Sequence, residues 1–221
     1  MRRRRPVERD DRGAALTAEP LGLPDWALEK EDPSDDRDFY AAARLVTHID
    51  DFAIAALTAY YRETLPAGGV ILDLMSSWVS HLPDDVRYGE VIGHGMNAEE
   101  LAANPRLDRW FLADLNRDPV LPLGSASCDA VLCCVGAQYL QRPVEVFAEV
   151  ARVLRPGAPF IVSFSNRCFP TKAVEVWRAL DAGGHGQLLH RYFRKAEFAD
   201  IEVRVLSDGS QGDPLTIVRG H

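Results

Sequence analysis

The chain has 221 residues, 47% of them hydrophobic, and its 33 acidic and 25 basic side chains give a formal net charge of −8. This length suits one α/β domain with a sizeable core. The acidic balance disfavours a nucleic-acid-binding protein, which needs a basic face. No apolar run reaches the roughly 18–20 residues of a membrane span. We therefore expect a globular protein without a membrane segment.

The amino-terminal third predicts two regions of different character. Residues 1–34 are rich in charge, proline and glycine and are expected to be a largely disordered or loosely docked lead-in. The basic start at 1–6 has no apolar segment after it, so a secretory signal is not predicted and a cytoplasmic protein is expected. Residues 35–69 have apolar positions at helical spacing, which predicts a cap of two helices, with Asp50 capping the second.

From residue 70 the pattern alternates between apolar strands and helices. The predicted strands span 70–74, 86–93, 110–115, 129–135, 159–164, 201–206 and 215–219. The predicted helices are a short one that ends by Pro83 and those at 97–104, 143–154 and 171–182. This order predicts a doubly wound, mostly parallel seven-stranded Rossmann-like sheet over 70–221, with helices on both faces and an antiparallel hairpin at the C-terminus.

Four motifs in this order carry a family resemblance. They are Asp73 after the first strand, Asp114 after the third, Ser127-Cys128-Asp129-Ala130-Val131 leading the fourth, and Val153-Leu154-Arg155-Pro156-Gly157 before the fifth. The chain resembles the class I S-adenosylmethionine (SAM)-dependent methyltransferases over about 70–165. The resemblance implies SAM as cofactor and methyl transfer as activity.

The chain departs from the family's pattern at two places. Met75, Ser77 and Val79 stand where the family has the glycines of its first loop, and Gly95 stands where the family has an acid that binds ribose. A Cβ atom makes the positive φ of a glycine loop costly. We expect the hydroxyls of Ser76 and Ser77 to replace the glycine contacts, and Trp78 to help close the pocket.

The resemblance assigns the remaining cofactor contacts by position. His94 or Asn97 is expected to replace the ribose acid, Met96 to pack on adenine, and Asp114 with the Leu115 amide to receive the adenine edge. Tyr139 is expected to line the sulfonium. The predicted cofactor residues are Asp73, Met75, Ser76, Ser77, His94, Met96, Asn97, Asp114, Leu115, Asn116, Val135 and Gln138.

Substrate contacts are expected from the N-terminal helices and from the segment after the fifth strand. Arg167 and Lys172 suit a carboxylate or phosphate, and His48 beside carboxylates suits a general base. The predicted catalytic residues are His48, Tyr139 and Asn166, and the predicted substrate residues are Tyr40, Asp50, Arg167 and Lys172. The four cysteines lack zinc spacing, so no metal is predicted; Cys168 alone falls in a loop near this site.

Three functions stay open on the sequence. The first is SAM-dependent methyl transfer to a small molecule, which the acidic charge favours over nucleic acid. The second is a non-methylating reaction on SAM, by intramolecular displacement or lyase chemistry, in the same fold. The third is a non-enzymatic partner or scaffold protein. The sequence does not name the acceptor, the atom methylated or the oligomeric state.

Overall fold

A computed structural model describes residues 21–221 as a seven-stranded sheet with helices around it. The strands are β1 Val70–Asp73, β2 Glu90–Gly95, β3 Arg109–Leu112, β4 Ala130–Cys134, β5 Phe160–Phe164, β6 Glu202–Ser207 and β7 Leu215–Gly220. Their order is β3-β2-β1-β4-β5-β7-β6. The first five strands are parallel, and β7 pairs antiparallel with both β5 and β6. The predicted fold class is confirmed.

Alternate residues of the central strands belong to two separate cores. Leu72 and Val131 face one core, which contains the buried faces of the helices at 143–153 and 182–195, whereas Ile71 and Leu132 face the other, which is closed by the helix at 51–64. This alternation follows from the period of two along a strand. It explains why β4, and β1 up to Asp73 at its end, are apolar: both faces of the sheet are covered.

The helices differ from the prediction more than the strands do. They are α1 Asp36–Phe39, α2 Asp51–Thr64, α3 Ala98–Ala103, α4 Pro143–Val153, α5 Glu175–Arg178 and α6 Ala182–Lys195. Asp50 caps α2 as expected, by accepting the Ala53 amide at 2.9 Å. The first helix predicted in the cap is a single turn. The helix predicted before Pro83 is absent, and Met75 and His81 have positive φ angles there.

Helix α6 was not predicted, and three of its first five residues are glycines, Gly183, Gly184 and Gly186. Asp181 caps the helix by accepting the Gly184 amide at 2.8 Å. Downstream, α6 buries an apolar face that includes Leu189 and Phe193. Burial of this face, rather than helix propensity, accounts for the helix.

The described part of the predicted lead-in packs on the domain. Leu21, Ala27 and Leu28 are buried, and a 3₁₀ helix spans Asp25–Leu28. The Glu175 amide donates to the Glu29 carbonyl at 2.9 Å, so backbone hydrogen bonding also anchors this segment. The basic tip and the rest of the lead-in predicted at 1–34, up to residue 20, lie outside the described residues. Within 21–221, no helix is long and apolar enough to cross a membrane.

Candidate functional site

A cavity of about 520 Å³ lies at the C-terminal ends of the parallel strands. Such an edge, outside the carboxyl ends of the strands, is where open α/β sheets bind ligands. Its wall comes from the loops after β1 to β5 and from residues 36–50, with Glu100 of α3 and Asp213 from the loop between β6 and β7. Of the residues predicted from the sequence, the structure brings these to the wall: Tyr40, His48, Asp50, Met75, Ser76, Ser77, His94, Met96, Asp114, Leu115, Asn116, Val135, Tyr139 and Arg167.

Met75 keeps the backbone conformation of a glycine although it has a side chain. Its φ is 56°, in the left-handed region that costs a non-glycine residue about 1–3 kcal/mol. The neighbouring Gly136 makes room for the side chain, since a Cβ built on Gly136 would lie 2.9 Å from the Met75 Cβ. The loop thus retains its left-handed turn without the glycine.

The two serine hydroxyls of this loop are bonded within the protein. Ser76 donates to an Asp73 oxygen at 2.6 Å, and Ser77 donates to an oxygen of Glu100 at 2.7 Å. A hydroxyl carries a single hydrogen. In this arrangement neither serine therefore has a hydrogen left for the carboxylate of a cofactor, contrary to the expectation from the sequence.

Asp73 is buried behind the loop and does not line the cavity. Burial raises its pKa to about 6, although the Ser76 hydroxyl bonded to it acts in the opposite direction. Asp73 supports the loop through Ser76.

The residues at the end of β2 divide between cavity wall and scaffold. Met96 lies on the wall. Asn97 does not: its Oδ1 accepts the Glu100 amide at 3.0 Å as the N-cap of α3, and its Nδ2 donates to the carbonyls of Tyr40 and Ala41. All the hydrogen-bonding groups of the Asn97 side chain thus have protein partners, so it joins α3 to the segment at 36–50.

Asp114 and Asn116 follow β3 and have different roles. Asp114 lies on the wall, and one of its oxygens accepts the Asn116 amide at 3.0 Å. The Asn116 side chain donates to Asp36 and to the Tyr139 carbonyl, and it accepts the Gln141 amide at 2.7 Å. The second oxygen of Asp114 has no hydrogen-bond partner within residues 21–221, whereas Asn116 fixes the surrounding loops.

Lys172 is fully buried and does not reach the cavity. Its ammonium group lies 3.1 Å from an oxygen of Asp32 and 3.4 Å from one of Asp36, and it donates to the Ser34 carbonyl at 2.9 Å. Lys30 forms a further ion pair with Asp36. The expected contact between Lys172 and a substrate is not available here, because the side chain anchors the segment at 30–36.

Phe169 is the centre of an aromatic group on the wall of the cavity, in the loop after β5. Its ring centroid lies 5.5 Å from that of His48, 6.0 Å from Tyr139 and 6.4 Å from Tyr40. Burial lowers the pKa of His48, and burial raises the pKa of Tyr139 to about 12. At neutral pH the imidazole is therefore uncharged and the phenol keeps its proton. Phe169 was not among the predicted site residues; the available signal was an aromatic residue in the loop after β5.

Gln138, Asn166 and Cys168 follow β4 and β5. Gln138 is buried off the wall, and its Nε2 donates at 2.7 Å to the carbonyl of Val135, which has a φ of 44°. Asn166 is exposed, accepts from the Ser165 hydroxyl and does not line the cavity. Cys168 lines it, but burial raises the pKa of its thiol, which disfavours the reactive thiolate.

Contacts between distant segments hold the part of the wall formed by residues 47–50, Arg167 and Asp213. Arg167 pairs with Asp213 at 2.9 Å, and Asp213 also accepts the Asp50 amide at 3.1 Å. Trp78 lies beside the cavity rather than on its wall, and its indole donates to the Val46 carbonyl at 3.0 Å. These contacts fix residues 46–50 against the rest of the domain. No group of side chains suited to a metal ion occurs within 21–221.

Comparisons with known proteins agree with this architecture. Residues 79–162 match a family model described as a methyltransferase domain. The chain is similar to the malonyl-[acyl-carrier protein] O-methyltransferase of Hahella chejuensis, with 27% identity over 154 residues that cover 67% of this chain and 53% of the relative. It thus spans about half the length of that curated relative.

Two solved structures have the same fold at low sequence identity. A Haloferax volcanii complex between the Trm112 methyltransferase activator and a methyltransferase has a TM-score of 0.58 and 16% identity, with 76% of this chain and 89% of that chain covered. A SAM-dependent methyltransferase from Thermotoga maritima has a TM-score of 0.57 and 18% identity, with 76% and 88% covered.

Proposed function

We propose that the chain is a class I SAM-dependent methyltransferase and that it transfers the methyl group of SAM to a small-molecule acceptor inside the cavity. The observation that carries this proposal is the single cavity that joins a nucleoside-binding edge, with Asp114 and Leu115, to an aromatic acceptor side around Phe169. Its volume of about 520 Å³ is typical of small-molecule sites.

The residues present suit SAM at the adenine and sulfonium ends. A free oxygen on Asp114 can accept from the exocyclic amine of adenine, and the Leu115 amide has no partner among the described residues. The left-handed turn at Met75 keeps the backbone course of a glycine loop. Tyr139 offers an aromatic face on the wall, which attracts a cation such as a sulfonium.

Bound SAM supplies an already activated methyl group, so the protein mainly has to orient the two reactants and exclude water. The segment at 36–50 performs the second task, since Tyr40, His48 and Asp50 lie on the wall and Trp78 holds the Val46 carbonyl. We assign His48 as the base that takes a proton from the acceptor, because its pKa is lowered and a neutral imidazole accepts a proton.

A small acceptor is favoured by the size of the cavity. Its volume of about 520 Å³ suits a compact molecule better than a polymer. The formal net charge of −8 also opposes nucleic acid. The name of the Hahella chejuensis relative includes malonyl-[acyl-carrier protein], so a malonyl thioester belongs in the first panel of acceptors.

Calorimetric titration with SAM and S-adenosylhomocysteine tests the proposal. We expect both to bind, and Asp114→Asn to weaken binding about 10-fold through loss of a charged hydrogen-bond acceptor. Asp84→Asn, at an exposed position off the cavity, is the matched control and should leave affinity unchanged. No binding at millimolar ligand would overturn the proposal.

Product analysis separates methyl transfer from other chemistry on SAM. Incubation with methyl-labelled SAM and a panel of amines, phenols and carboxylates should place label on an acceptor. Formation of methylthioadenosine without an acceptor would instead support the non-methylating reaction.

A further inference from the structure

The end of β2 has no room for the acid that the family places there. A Cβ built on Gly95 would lie 2.7 Å from the Ser76 carbonyl oxygen, closer than real Cβ atoms approach a backbone atom. The loop is held in that place, because the Ser76 amide donates to the His94 carbonyl at 2.6 Å. Ribose recognition at this edge therefore has to come from a different residue.

Glu100 is a buried carboxylate on the cavity wall close to the same edge. Its residue is 9% exposed, and each of its oxygens accepts one hydrogen bond: one from the Arg44 amide and one from the Ser77 hydroxyl, both at 2.7 Å. A carboxylate has about four lone-pair positions, so about two remain. Two acceptor positions are what the two hydroxyls of a ribose need.

A purely structural role at the start of α3 does not account for Glu100. Asn97 and Glu100 have the spacing of a capping box, in which the glutamate side chain accepts the amide of the cap residue. Only half of that motif forms: Asn97 accepts the Glu100 amide at 3.0 Å, while the Glu100 carboxylate bonds to Ser77 and Arg44 instead.

Among the other acids of the wall, Asp114 is assigned to adenine by the proposed function, and the remaining three already have protein partners. Asp36 is paired with Lys30 and Lys172. Asp50 caps α2, and Asp213 pairs with Arg167.

We propose that Glu100 receives the ribose hydroxyls of the cofactor, and that Ser77 holds Glu100 in position. The two departures from the family's pattern are then linked. Ser77, which stands in a glycine position, orients the Glu100 carboxylate, and this carboxylate replaces the acid that is missing at Gly95. This inference rests on the proposed function, because it assigns a contact to the same cofactor.

The test compares S-adenosylhomocysteine with its 2′-deoxyribose analogue by calorimetry. The wild-type protein should prefer the ribose form about 10- to 100-fold, the value of a hydrogen bond to a charged group. Glu100→Gln should lower the affinity for S-adenosylhomocysteine by a similar factor and should change the affinity for the analogue much less. The preference for the ribose form should therefore fall to about threefold or below. Glu99→Gln, at the exposed neighbouring position, is the matched control and should keep the preference.

The experiment distinguishes a failure of the proposed function from a failure of the role assigned to Glu100. If the wild-type protein binds neither ligand, the proposed function itself is overturned. If it binds S-adenosylhomocysteine and Glu100→Gln keeps the wild-type preference for ribose, Glu100 is not the ribose acceptor and the function stands. Ser77→Ala, which removes one hydroxyl, should lower the preference by a smaller factor; it provides the same test if circular dichroism shows that Glu100→Gln does not fold. An unchanged preference in Ser77→Ala would overturn its positioning role.

Discussion

The Nδ1 atom of His94 accepts the amide hydrogen of Met75 at 3.1 Å. Since Nδ1 is the acceptor, the ring hydrogen is on Nε2, which donates to the Ala113 carbonyl at 3.1 Å. Burial lowers the pKa of His94 to about 4, so the ring is neutral at physiological pH. One imidazole thus ties the loop after β1 to the end of β3 and serves as scaffold rather than as a free ribose ligand.

Replacement of His94 by alanine should lower the free energy of unfolding by about 2–3 kcal/mol at pH 7, because it leaves buried backbone groups unpaired. The folded-state pKa is depressed from 6.5 to about 4. The contribution of His94 is therefore complete above pH 6.5 and is lost as the pH falls toward 4. Urea unfolding at pH 7 and pH 5 should show the difference from wild type narrowing. His190→Ala, at an exposed position, is the control; an equal loss in both variants would refute this account.

Asp73→Asn should stabilise the ligand-free protein at pH 7 by about 1–3 kcal/mol. Burial raises the folded-state pKa of Asp73 from 3.8 to about 6, so the folded protein holds a proton that the unfolded chain has lost between these values. Wild-type stability from this group is present below pH 4 and declines as the pH rises through 6. Thermal unfolding across this range should show the advantage of the variant disappearing near pH 4. A destabilised variant at pH 7 would contradict the prediction.

Lys172→Met should lower the free energy of unfolding by about 3–5 kcal/mol, because it removes one partner from a buried ionic cluster. Because the cluster anchors residues 30–36, limited trypsin digestion should cleave faster at Arg37. Lys195→Met removes an exposed lysine from the end of α6 and is the control for charge and shape. Wild-type cleavage at Arg37 in the Lys172 variant would show that the segment is held by other contacts.

The pKa of His48 should lie below 6.5 and should rise toward 6.5 in Phe169→Ala. Burial is the main cause of its depression, and Phe169 packs against the ring at 5.5 Å between centroids. Removal of that ring exposes the imidazole to water and favours its charged form. Nuclear magnetic resonance titration of the imidazole measures this directly, without knowledge of the acceptor. An identical pKa in both proteins would show that Phe169 does not control the proposed base.

Much of the fold follows from local sequence patterns, whereas much of the site does not. The apolar runs of β1, β4 and β5 were predicted to within one or two residues, because a strand covered on both faces has to be apolar throughout. Helix α6 was not predicted because Gly183, Gly184 and Gly186 have low helix propensity. Its stability comes from tertiary burial of its apolar face.

The roles of site residues depend on partners that are distant in the sequence. From the sequence Lys172 was predicted to contact a substrate, but in the structure it pairs with Asp32 and Asp36. The spacing of Glu100 from Asn97 is that of a helix cap, but in the structure its carboxylate accepts hydrogen bonds from Ser77 and Arg44. No local pattern contains these pairings, because each joins segments more than 20 residues apart.

The contact between Gly95 and the Ser76 carbonyl also limits the order in which this site can change by mutation. An acid introduced at 95 while the loop after β1 keeps its present course would collide with backbone, which cannot rotate away as a side chain can. The loop must therefore move first, and a change at 95 has a different effect before and after that movement. The effects of substitutions at these neighbouring positions are therefore non-additive. A single replacement at 95 cannot convert this site into one with an acid at the end of β2.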